Sequence, residues 1–249
     1  MNFLKMNMDV IARSEDRANV WAIENKRRLH LDEWEYLSQR IPERLLQPIL
    51  QFQQWEDRQA SLFGKLLLQA GLSAMGAATD LIYALDWDQY KRPYLPGDID
   101  FNIAHTDGFV LCALQKNGRI GIDVEAIKPV FIPDYKAVFT KTEYDKLLAA
   151  PNGLLLFFDF WTKKEAVMKA DGKGFYLDPK SISVDSDRIM IGGNQWIISS
   201  LQVRKHLVCN VALTNELPID LNWMTIETLL SGFVQVTDER FYDYTKNEC

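Results

Sequence analysis

The chain has 249 residues, of which 47% are hydrophobic and 25% charged, the composition of a globular protein with a sizeable core. Its 28 Lys and Arg residues against 34 Asp and Glu residues give a net charge of −6, which argues against a general nucleic-acid-binding protein because such proteins need a basic face. No apolar run reaches the ~18 residues of a membrane span and no signal-peptide pattern is found, so we predict a cytoplasmic protein without a membrane segment.

The first half of the chain predicts one strand, three helices and three further extended segments. The helical patterns show apolar residues three and four positions apart, most clearly along the third helix. Gly76 then interrupts this periodicity. In chain order the segments are Phe3–Ala12, Leu31–Arg40, Pro42–Gln53, Trp55–Leu72, Leu81–Leu85, Phe101–Ala104 and Phe109–Leu114.

The second half partly repeats this order, with a strand, two helices and three extended runs. Thr140 or Thr142 is the candidate cap of the first helix, and Gly172 follows the end of the second. The runs FVLCAL and LVCNVAL hold similar positions in the two halves. We therefore predict an α+β protein of two similar lobes, each with a helix packed on an antiparallel sheet. The segments are Ile120–Glu125, Thr142–Ala149, Leu154–Ala170, Ser181–Val184, Trp196–Val203 and Leu207–Leu213.

Two carboxylates alternate along the strand pattern GIDVE at residues 121–125. Asp123 and Glu125 point to the same face because side chains two apart on a strand share a face. Like charges ~5–7 Å apart repel each other unless a cation or basic group lies between them. Carboxylate oxygens suit Mg²⁺, which takes one or two carboxylates and fills its other positions with water and phosphate. The same pair also fits an exposed strand end.

The long helix of the second half contains the segment WTKKEAVMK. Trp161, Glu165 and Lys169 lie on one stripe at helical spacing, and Trp161 fits a packing role. Glu165 and Lys169 suit a metal ligand or base beside a phosphate contact. They fit equally well a surface ion pair one turn apart, which is worth only ~0.3–0.5 kcal/mol.

A histidine and a hydroxyl group end the strand pattern FNIAHT. His105 and Thr106 precede a turn, where the pair could hold a phosphate, although a lone histidine also fits a structural role. Further basic residues could surround a polyanion or lie on a solvated surface. These residues are Arg58, Lys65, Lys91, Arg92 and Lys173.

Three segments together resemble the signature of the 4′-phosphopantetheinyl transferase superfamily, of the long Sfp-like type that activates surfactin synthetase. They are FNIAHT, then GIDVE, then WTKKEAVMKADGKG, and the intervening FTKTEYDKL is similar as well. The resemblance covers residues 91–185. Ala104 and Thr106 replace the serines usual in the family's NISHS string, and Arg92 in KRPY replaces the lysine of its GKPY-like segment.

The resemblance implies a metal site and a reaction. Asp123, Glu125 and Glu165 would bind Mg²⁺, with Mn²⁺ as the alternative ion. The enzyme would move the 4′-phosphopantetheine arm of coenzyme A to a serine of an apo acyl or peptidyl carrier protein and release adenosine 3′,5′-bisphosphate. Glu165 would deprotonate that serine, directly or through water, because serine is a poor nucleophile at neutral pH. The carrier could serve fatty-acid, polyketide or nonribosomal-peptide synthesis.

The resemblance also implies the contacts to coenzyme A. Lys169 would contact its phosphates, and His105 would bind the adenosine 3′-phosphate with Thr106 beside it. Arg92 would contact the same substrate, with forked rather than point-charge geometry. The basic residues of the first-half helix align poorly with the family and are left open.

The family's fold is a pair of pseudo-twofold α+β lobes with coenzyme A in the cleft between them. We therefore expect lobes at residues 1–117 and 118–249, the second carrying the metal site, in a monomer. Carrier proteins are acidic, so we expect a docking face that is locally apolar and basic. Phe131, Ile132 and Tyr135 are candidates by position, although core packing also fits them.

Two other functions fit the same acidic residues. A metal-dependent phosphohydrolase or nucleotidyl transferase would need no carrier protein, and release of product from coenzyme A alone would favour it. A non-catalytic protein that binds coenzyme A or a carrier as a scaffold is the second. Loss of any one of four residues would favour the scaffold, but Asp123, Glu125, Glu165 and Lys169 are all present.

Overall fold

The computed structural model describes residues 17–232. The first of its two four-stranded sheets is formed by strands from both ends of that range and from its middle. Its strand order is β10-β1-β5-β4. Neighbouring strands are antiparallel except that β10 lies parallel to β1. The strands are β1 (Ala18–Glu24), β4 (Ile99–Thr106), β5 (Phe109–Lys116) and β10 (Ile219–Met224).

The second sheet is antiparallel throughout, with the order β6-β9-β8-β7. Its strands are β6 (Ile120–Ala126), β7 (Arg188–Ile191), β8 (Asn194–Ser200) and β9 (Leu207–Leu213). A separate hairpin precedes the first sheet's own hairpin in the chain and consists of β2 (Asp86–Trp87) and β3 (Pro93–Tyr94).

A long helix packs on the outer face of each sheet. On the first sheet, α3 buries one apolar stripe against β1 and β5, and Gly64 brings the helix close to Ile103 of β4. On the second, α5 buries Ala166, Val167 and Ala170. The predicted α+β class, with helices on antiparallel sheets, is confirmed. The helices are α1 (Leu31–Ser38), α2 (Glu43–Ile49), α3 (Trp55–Ala74), α4 (Lys141–Ala149), α5 (Gly153–Asp171) and α6 (Ile226–Leu230).

The inner faces of the two sheets share a third apolar cluster. Val20 and Leu111 enter it from the first sheet, and Ile122, Val124 and Val211 enter it from the second. Strands β5 and β9 are consequently buried on both faces, so their sequences are continuous apolar runs rather than alternating patterns.

Side chains of β4 join the two sheets at their neighbouring edges. The backbone N–H groups of Ile120, Ile122 and Ala126 on β6 donate to side-chain oxygens on β4 at 2.8, 2.9 and 3.1 Å. The acceptors are Asp100 Oδ2, Asn102 Oδ1 and Thr106 Oγ1, each twenty residues earlier in the chain. The constant offset means that β4 and β6 run parallel. The ends of both strands therefore lie at the same end of the molecule.

One position of this β4–β6 ladder has no acceptor side chain, and we expect Ala104→Ser to stabilise the protein. Backbone alternation directs the N–H of Val124 towards β4, opposite buried Ala104. A serine hydroxyl there can accept this N–H, and a net hydrogen bond contributes about 0.5–1.5 kcal/mol. Urea unfolding measures the gain. Thr106→Val, which removes an existing acceptor, should lose a similar amount, and a destabilised Ala104→Ser variant would refute the expectation.

Several predicted elements differ from the structure. The strand expected at Phe3–Ala12 lies outside the described residues. Leu81–Leu85 is not extended, because Ile82 and Leu85 are buried at a spacing of three in and after a 3₁₀ helix. Ser181–Val184 forms no ladder, because the N–H of Val184 donates to the Glu143 carboxylate instead of a strand. The cap of α4 is Thr140, whose hydroxyl accepts from the N–H of Glu143.

Strands β1 and β10 were missed by the sequence prediction. The apolar run of β1 has no alternation because both its faces are buried, and β10 reaches β1 only through tertiary folding. The lobe division at residues 117 and 118 stays a prediction. In the structure β10 completes the first sheet although it follows the second in the chain. No helix within residues 17–232 is long and apolar enough to span a bilayer.

Candidate functional site

Strand β6 and helix α5 lie in direct contact because residue 121 is glycine. A Cβ atom on Gly121 would lie 2.1 Å from the carbonyl oxygen of Ala166 and 2.5 Å from the backbone nitrogen of Ala170. The side chains of Asp123 and Glu125 leave the strand on the same face as Gly121. The alternation in GIDVE therefore directs both carboxylates towards α5.

Lys169 of α5 forms an ion pair with Asp123. Its Nζ lies 2.6 Å from Asp123 Oδ1, and the two side chains are 29% and 8% exposed. The other oxygen, Asp123 Oδ2, is buried and has no hydrogen-bond partner within the described part of the chain. Leaving a buried polar atom unsatisfied costs about 1–3 kcal/mol, and more when it is charged. This oxygen is therefore available to a ligand.

Glu125 and Glu165 add two further carboxylates to the cluster. Burial raises the pKa of Glu165 above its usual 4.5, the charges of Asp123 and Glu125 raise it further, and Lys169 opposes the shift. Burial likewise raises the pKa of Glu125, with Asp123 as the second cause. The three carboxylates repel one another, and the neighbouring ammonium group offsets only part of their charge.

The cluster has the donor chemistry of a divalent-cation site. Within residues 17–232, no group of three or more His, Cys, Asp or Glu side chains is gathered tightly enough to hold a metal ion. The donors nevertheless fit Mg²⁺ or Mn²⁺, because they are carboxylate oxygens and Asp123 Oδ2 lacks a partner. A bound cation would also relieve the repulsion that raises the pKa of Glu125 and Glu165.

His105 and Thr106 lie at the end of β4, which is also the end at which Glu125 leaves β6. His105 is exposed and is accessible to an anion. The Oγ1 of Thr106 accepts from the N–H of Ala126 at 3.1 Å, so Thr106 joins the two strands and can still donate its hydroxyl proton to a ligand.

Arg92, which the resemblance places in contact with coenzyme A, is buried in the structure. Its side chain is 6% exposed. Its N–H groups donate to the Asp100 carboxylate and to backbone carbonyls of Pro93, Phe101, Ile120 and Lys169. A guanidinium has five N–H donors, and these acceptors use all of them. The contact of Arg92 with coenzyme A stays a prediction, and these acceptors are the ones that Arg92 has in the ligand-free protein.

The other basic residues have varied surroundings. The Arg58 guanidinium donates to the carbonyl of Phe52 at 2.6 Å, and Lys173 pairs with Asp171 at 3.2 Å. Burial lowers the pKa of Lys65 on α3. Lys91 lies at the turn of the β2–β3 hairpin with a positive φ of 64°. A phosphate-binding role for these residues stays a prediction.

The three residues suggested for carrier docking differ in exposure. Tyr135 packs its ring 4.9 Å from Phe157 and 5.6 Å from Trp161, so it belongs to the second core, as does Trp161. Ile132 packs partly against the same core. Phe131 is 68% exposed and is accessible to a partner.

Lys164, beside Glu165 in the WTKKEA segment, has a role that the sequence did not reveal. Its Nζ lies 2.9 Å from Glu143 Oε2, and the two side chains are 1% and 0% exposed. It also donates to the carbonyls of Pro179 and Ile182. This buried pair ties α4 and the segment after α5 to the helix that carries Glu165. The motif does not distinguish Lys164 from an exposed lysine, because burial depends on tertiary contacts.

We expect Lys164→Met to lower the free energy of unfolding by ~3–5 kcal/mol, because it leaves the Glu143 carboxylate buried without its cation. Urea unfolding measures this loss. Adding Glu143→Gln should recover part of it. The matched control is Lys141→Met, which breaks an exposed i,i+4 pair with Asp145 and should cost less than ~1 kcal/mol. Equal losses at the two lysines would contradict the expectation.

Comparison with known proteins identifies similar sequences. Residues 119–218 match the profile of the 4′-phosphopantetheinyl transferase superfamily. The chain is 31% identical over 155 residues to 4′-phosphopantetheinyl transferase gsp of Aneurinibacillus migulanus, covering 61% of the chain and 65% of that protein. It is 34% identical over 133 residues to 4′-phosphopantetheinyl transferase Sfp of Bacillus subtilis, covering 52% and 59%.

A more distant relative is eukaryotic. The L-aminoadipate-semialdehyde dehydrogenase-phosphopantetheinyl transferase of Schizosaccharomyces pombe is 27% identical over 179 residues, covering 55% of the chain and 69% of that protein. The alignments to the two bacterial proteins span less than two thirds of their lengths. The acidic cluster on β6 and α5 lies within the profile match.

Proposed function

We propose that the chain belongs to the 4′-phosphopantetheinyl transferase superfamily and that it transfers 4′-phosphopantetheine from coenzyme A to a carrier-protein serine. The acceptor is an apo acyl or peptidyl carrier protein, and the other product is adenosine 3′,5′-bisphosphate. The observation that carries this proposal is the meeting of Asp123 and Glu125 on β6 with Lys169 on α5. This contact brings the proposed acidic metal ligands and the positive charge of Lys169 together at one place.

Asp123, Glu125 and Glu165 are the proposed ligands of Mg²⁺, with Mn²⁺ as the alternative ion. The unpaired Asp123 Oδ2 and the raised pKa of both glutamates support this set. When bound, the cation would supply positive charge to neutralise the pyrophosphate of coenzyme A.

Glu165 is the proposed general base. It takes the hydroxyl proton of the carrier serine, whose oxygen then forms a bond to the phosphorus that bears the pantetheine arm. The bond from that phosphorus to the bridging pyrophosphate oxygen breaks, and the electron pair leaves with adenosine 3′,5′-bisphosphate. Glu165 is proposed for this role because it projects from α5, opposite the two carboxylates of β6.

Lys169 and His105 are the proposed phosphate contacts. Lys169 already faces the acidic cluster, and its side chain, which is 29% exposed, can reach a bound anion. His105 is exposed at the same end of the molecule and would hold the adenosine 3′-phosphate, with the Thr106 hydroxyl beside it. Holding the substrate at both places would orient the reacting phosphorus, which lowers the entropic part of the barrier.

We propose two lobes, residues 1–117 and 118–249, with coenzyme A between them and a monomeric, cytoplasmic protein overall. Exposed Phe131, which follows exposed Lys128, supports a carrier-docking face that is apolar and basic. No role with nucleic acid or membranes is proposed.

The proposal is tested by incubating the protein with coenzyme A, Mg²⁺ and a panel of apo carrier proteins, followed by intact mass measurement. We expect a phosphopantetheine mass increase on a carrier serine that EDTA abolishes and added Mg²⁺ restores. Cleavage of coenzyme A without a carrier would support a phosphohydrolase instead. Carrier binding without any mass increase across the panel would support a scaffold, and either result would overturn the proposal.

A further inference from the structure

Arg92 and Asp100 form a buried, two-point ion pair where the hairpin, β4 and β6 meet. Arg92 NH1 and NH2 donate to Asp100 Oδ1 and Oδ2 at 2.8 and 2.7 Å. The side chains are 6% and 11% exposed. Asp100 Oδ2 also accepts from the N–H of Ile120 at 2.8 Å, and Arg92 donates to the carbonyl of Ile120 at 3.1 Å. The ion pair is therefore hydrogen-bonded to both the N–H and the carbonyl group of Ile120, the first residue of β6.

The same guanidinium holds the end of α5. Arg92 Nε donates to the carbonyl of Lys169 at 2.9 Å. Arg119 donates to the carbonyls of Ala170 and Asp171 at 2.8 and 3.1 Å. The last carbonyls of a helix lack partners within it and form the negative end of its dipole, so two cations suit this position.

Gly172 makes room for this arrangement. It ends α5 with a φ of +91°, and a Cβ atom there would lie 2.7 Å from Arg92 Cδ. The first glycine of the DGKG sequence thus serves both the helix end and the approach of the arginine.

Lys169 is consequently held at two points. Its carbonyl accepts from Arg92, while its Nζ lies 2.6 Å from Asp123 Oδ1. We propose that Arg92 is a positioning residue: paired with Asp100, it fixes the end of α5 on β6 and so sets Lys169 opposite Asp123 without touching substrate. This inference rests on the proposed function for its effect on catalysis, but the structural role stands in the ligand-free protein.

A positioning role and a phosphate contact have different consequences. If Arg92 contacted the 3′-phosphate, its replacement would erase the preference for coenzyme A over dephospho-coenzyme A, which lacks that phosphate. If Arg92 positions α5, its replacement lowers the transfer rate with both substrates by the same factor. The size of this loss then depends on whether Asp100 is present, because the two side chains act as one unit.

The first experiment compares Arg92→Lys, Asp100→Asn and the double variant in steady-state transfer to a carrier protein with each of the two substrates. Lysine keeps the charge but cannot make the two-point pair. We expect each single variant to lower kcat at least ~10-fold, because small misplacements of reacting groups cost rates of this order. The ratio of kcat/KM between the two substrates should stay within ~2-fold of the unsubstituted protein, and the double variant should be less than ~2-fold worse than the poorer single variant.

Two further variants calibrate that comparison. His105→Ala, at the proposed 3′-phosphate contact, should lower the substrate ratio and shows what loss of a direct contact looks like. Arg188→Lys, in the exposed pair with Glu216, should leave kcat and KM unchanged. A collapse of the ratio in Arg92→Lys, or effects of Arg92→Lys and Asp100→Asn that multiply, would overturn the proposal.

The second experiment needs no activity. Amide hydrogen exchange of the ligand-free protein should be at least ~10-fold faster over residues 169–172 in Arg92→Lys, because the helix end loses its anchor. Unchanged exchange there would overturn the proposal even if transfer is impaired. Absence of transfer by the unsubstituted protein would refute the proposed function, and the exchange result would still decide the role of Arg92. If Arg92→Lys does not fold, Asp100→Asn is measured in both experiments, since asparagine keeps the side-chain size and an acceptor for Ile120.

Discussion

Glu165→Gln is expected to lower the rate of phosphopantetheine transfer by ~10²–10⁴-fold, the usual contribution of a general base. Glutamine keeps the size of the side chain but cannot take the serine proton. It also weakens the proposed cation site, because an amide oxygen carries no charge. Steady-state transfer to a carrier protein at saturating Mg²⁺ measures the loss, which should lie in kcat.

The same substitution is expected to stabilise the ligand-free protein. The pKa of Glu165 is raised above 4.5 because burial and the nearby charges of Asp123 and Glu125 disfavour its ionised form. The protonated carboxyl therefore supports the fold below pH 4.5, and this contribution is lost as the pH rises through the folded-state pKa. Glutamine removes the repulsion, so the gain should be present above that pKa and vanish below about pH 4.5.

Thermal unfolding without divalent cations measures this gain, at about 2–4 °C for each kcal/mol of repulsion removed. The control is Glu35→Gln on α1, an exposed glutamate, which should change neither the melting temperature nor the rate. Full turnover by Glu165→Gln with unchanged magnesium dependence would contradict the assignment of the base. A lower melting temperature of Glu165→Gln at neutral pH would contradict the expectation that repulsion at Glu165 destabilises the ligand-free protein.

Gly121→Ala is expected to lower transfer at least ~10²-fold, because displacement of catalytic groups by about 1 Å can cost that much. The added Cβ would lie 2.1 Å from the carbonyl oxygen of Ala166, a backbone atom that cannot rotate away. Helix α5 would have to move off β6 and take Glu165 and Lys169 with it, away from Asp123. Overpacking of this kind also costs about 1–3 kcal/mol of stability, occasionally more.

Transfer assays and urea unfolding measure the two effects of Gly121→Ala. The matched control is Gly64→Ala on α3, at the corresponding contact of the other sheet. There the Cβ would lie 2.8 Å from a methyl group of Ile103, and a side-chain end can shift. Gly64→Ala should therefore cost less stability and leave transfer within ~3-fold of the unsubstituted protein. Equal losses of transfer in the two variants would show that the β6–α5 contact has no special role.

The sequence pattern was sufficient to predict which side chains share a face of a strand or a helix. The alternation in GIDVE places Asp123 and Glu125 on one face of β6, and the helical spacing in WTKKEAVMK places Glu165 and Lys169 on one face of α5. Both follow from backbone geometry alone. Helices α1 to α5 were predicted within a few residues for the same reason, because their apolar residues repeat every three or four positions, whereas the short α6 was not predicted.

The partners of buried polar groups required the tertiary structure. The sequence could not show that the donors of Arg92 are used by Asp100 and by carbonyls of elements as distant in the chain as α5. Lys164 and Glu165 are neighbours in sequence, yet one is buried in an ion pair and the other faces the acidic cluster. A side chain's type states how many hydrogen bonds it can make, but only the fold decides which acceptors lie within reach.

The sequence by itself determined the α+β class, the two long helices and the residue types of the acidic cluster, because these features depend on the periodicity and charge of residues close together in the chain. The tertiary structure alone decided that β10 completes the first sheet, that side chains of β4 replace a backbone ladder to β6, and that Gly121 lets α5 reach Asp123. These features depend on contacts between residues far apart in the chain. Their free energy comes from burial and from satisfying backbone groups, which no local pattern specifies.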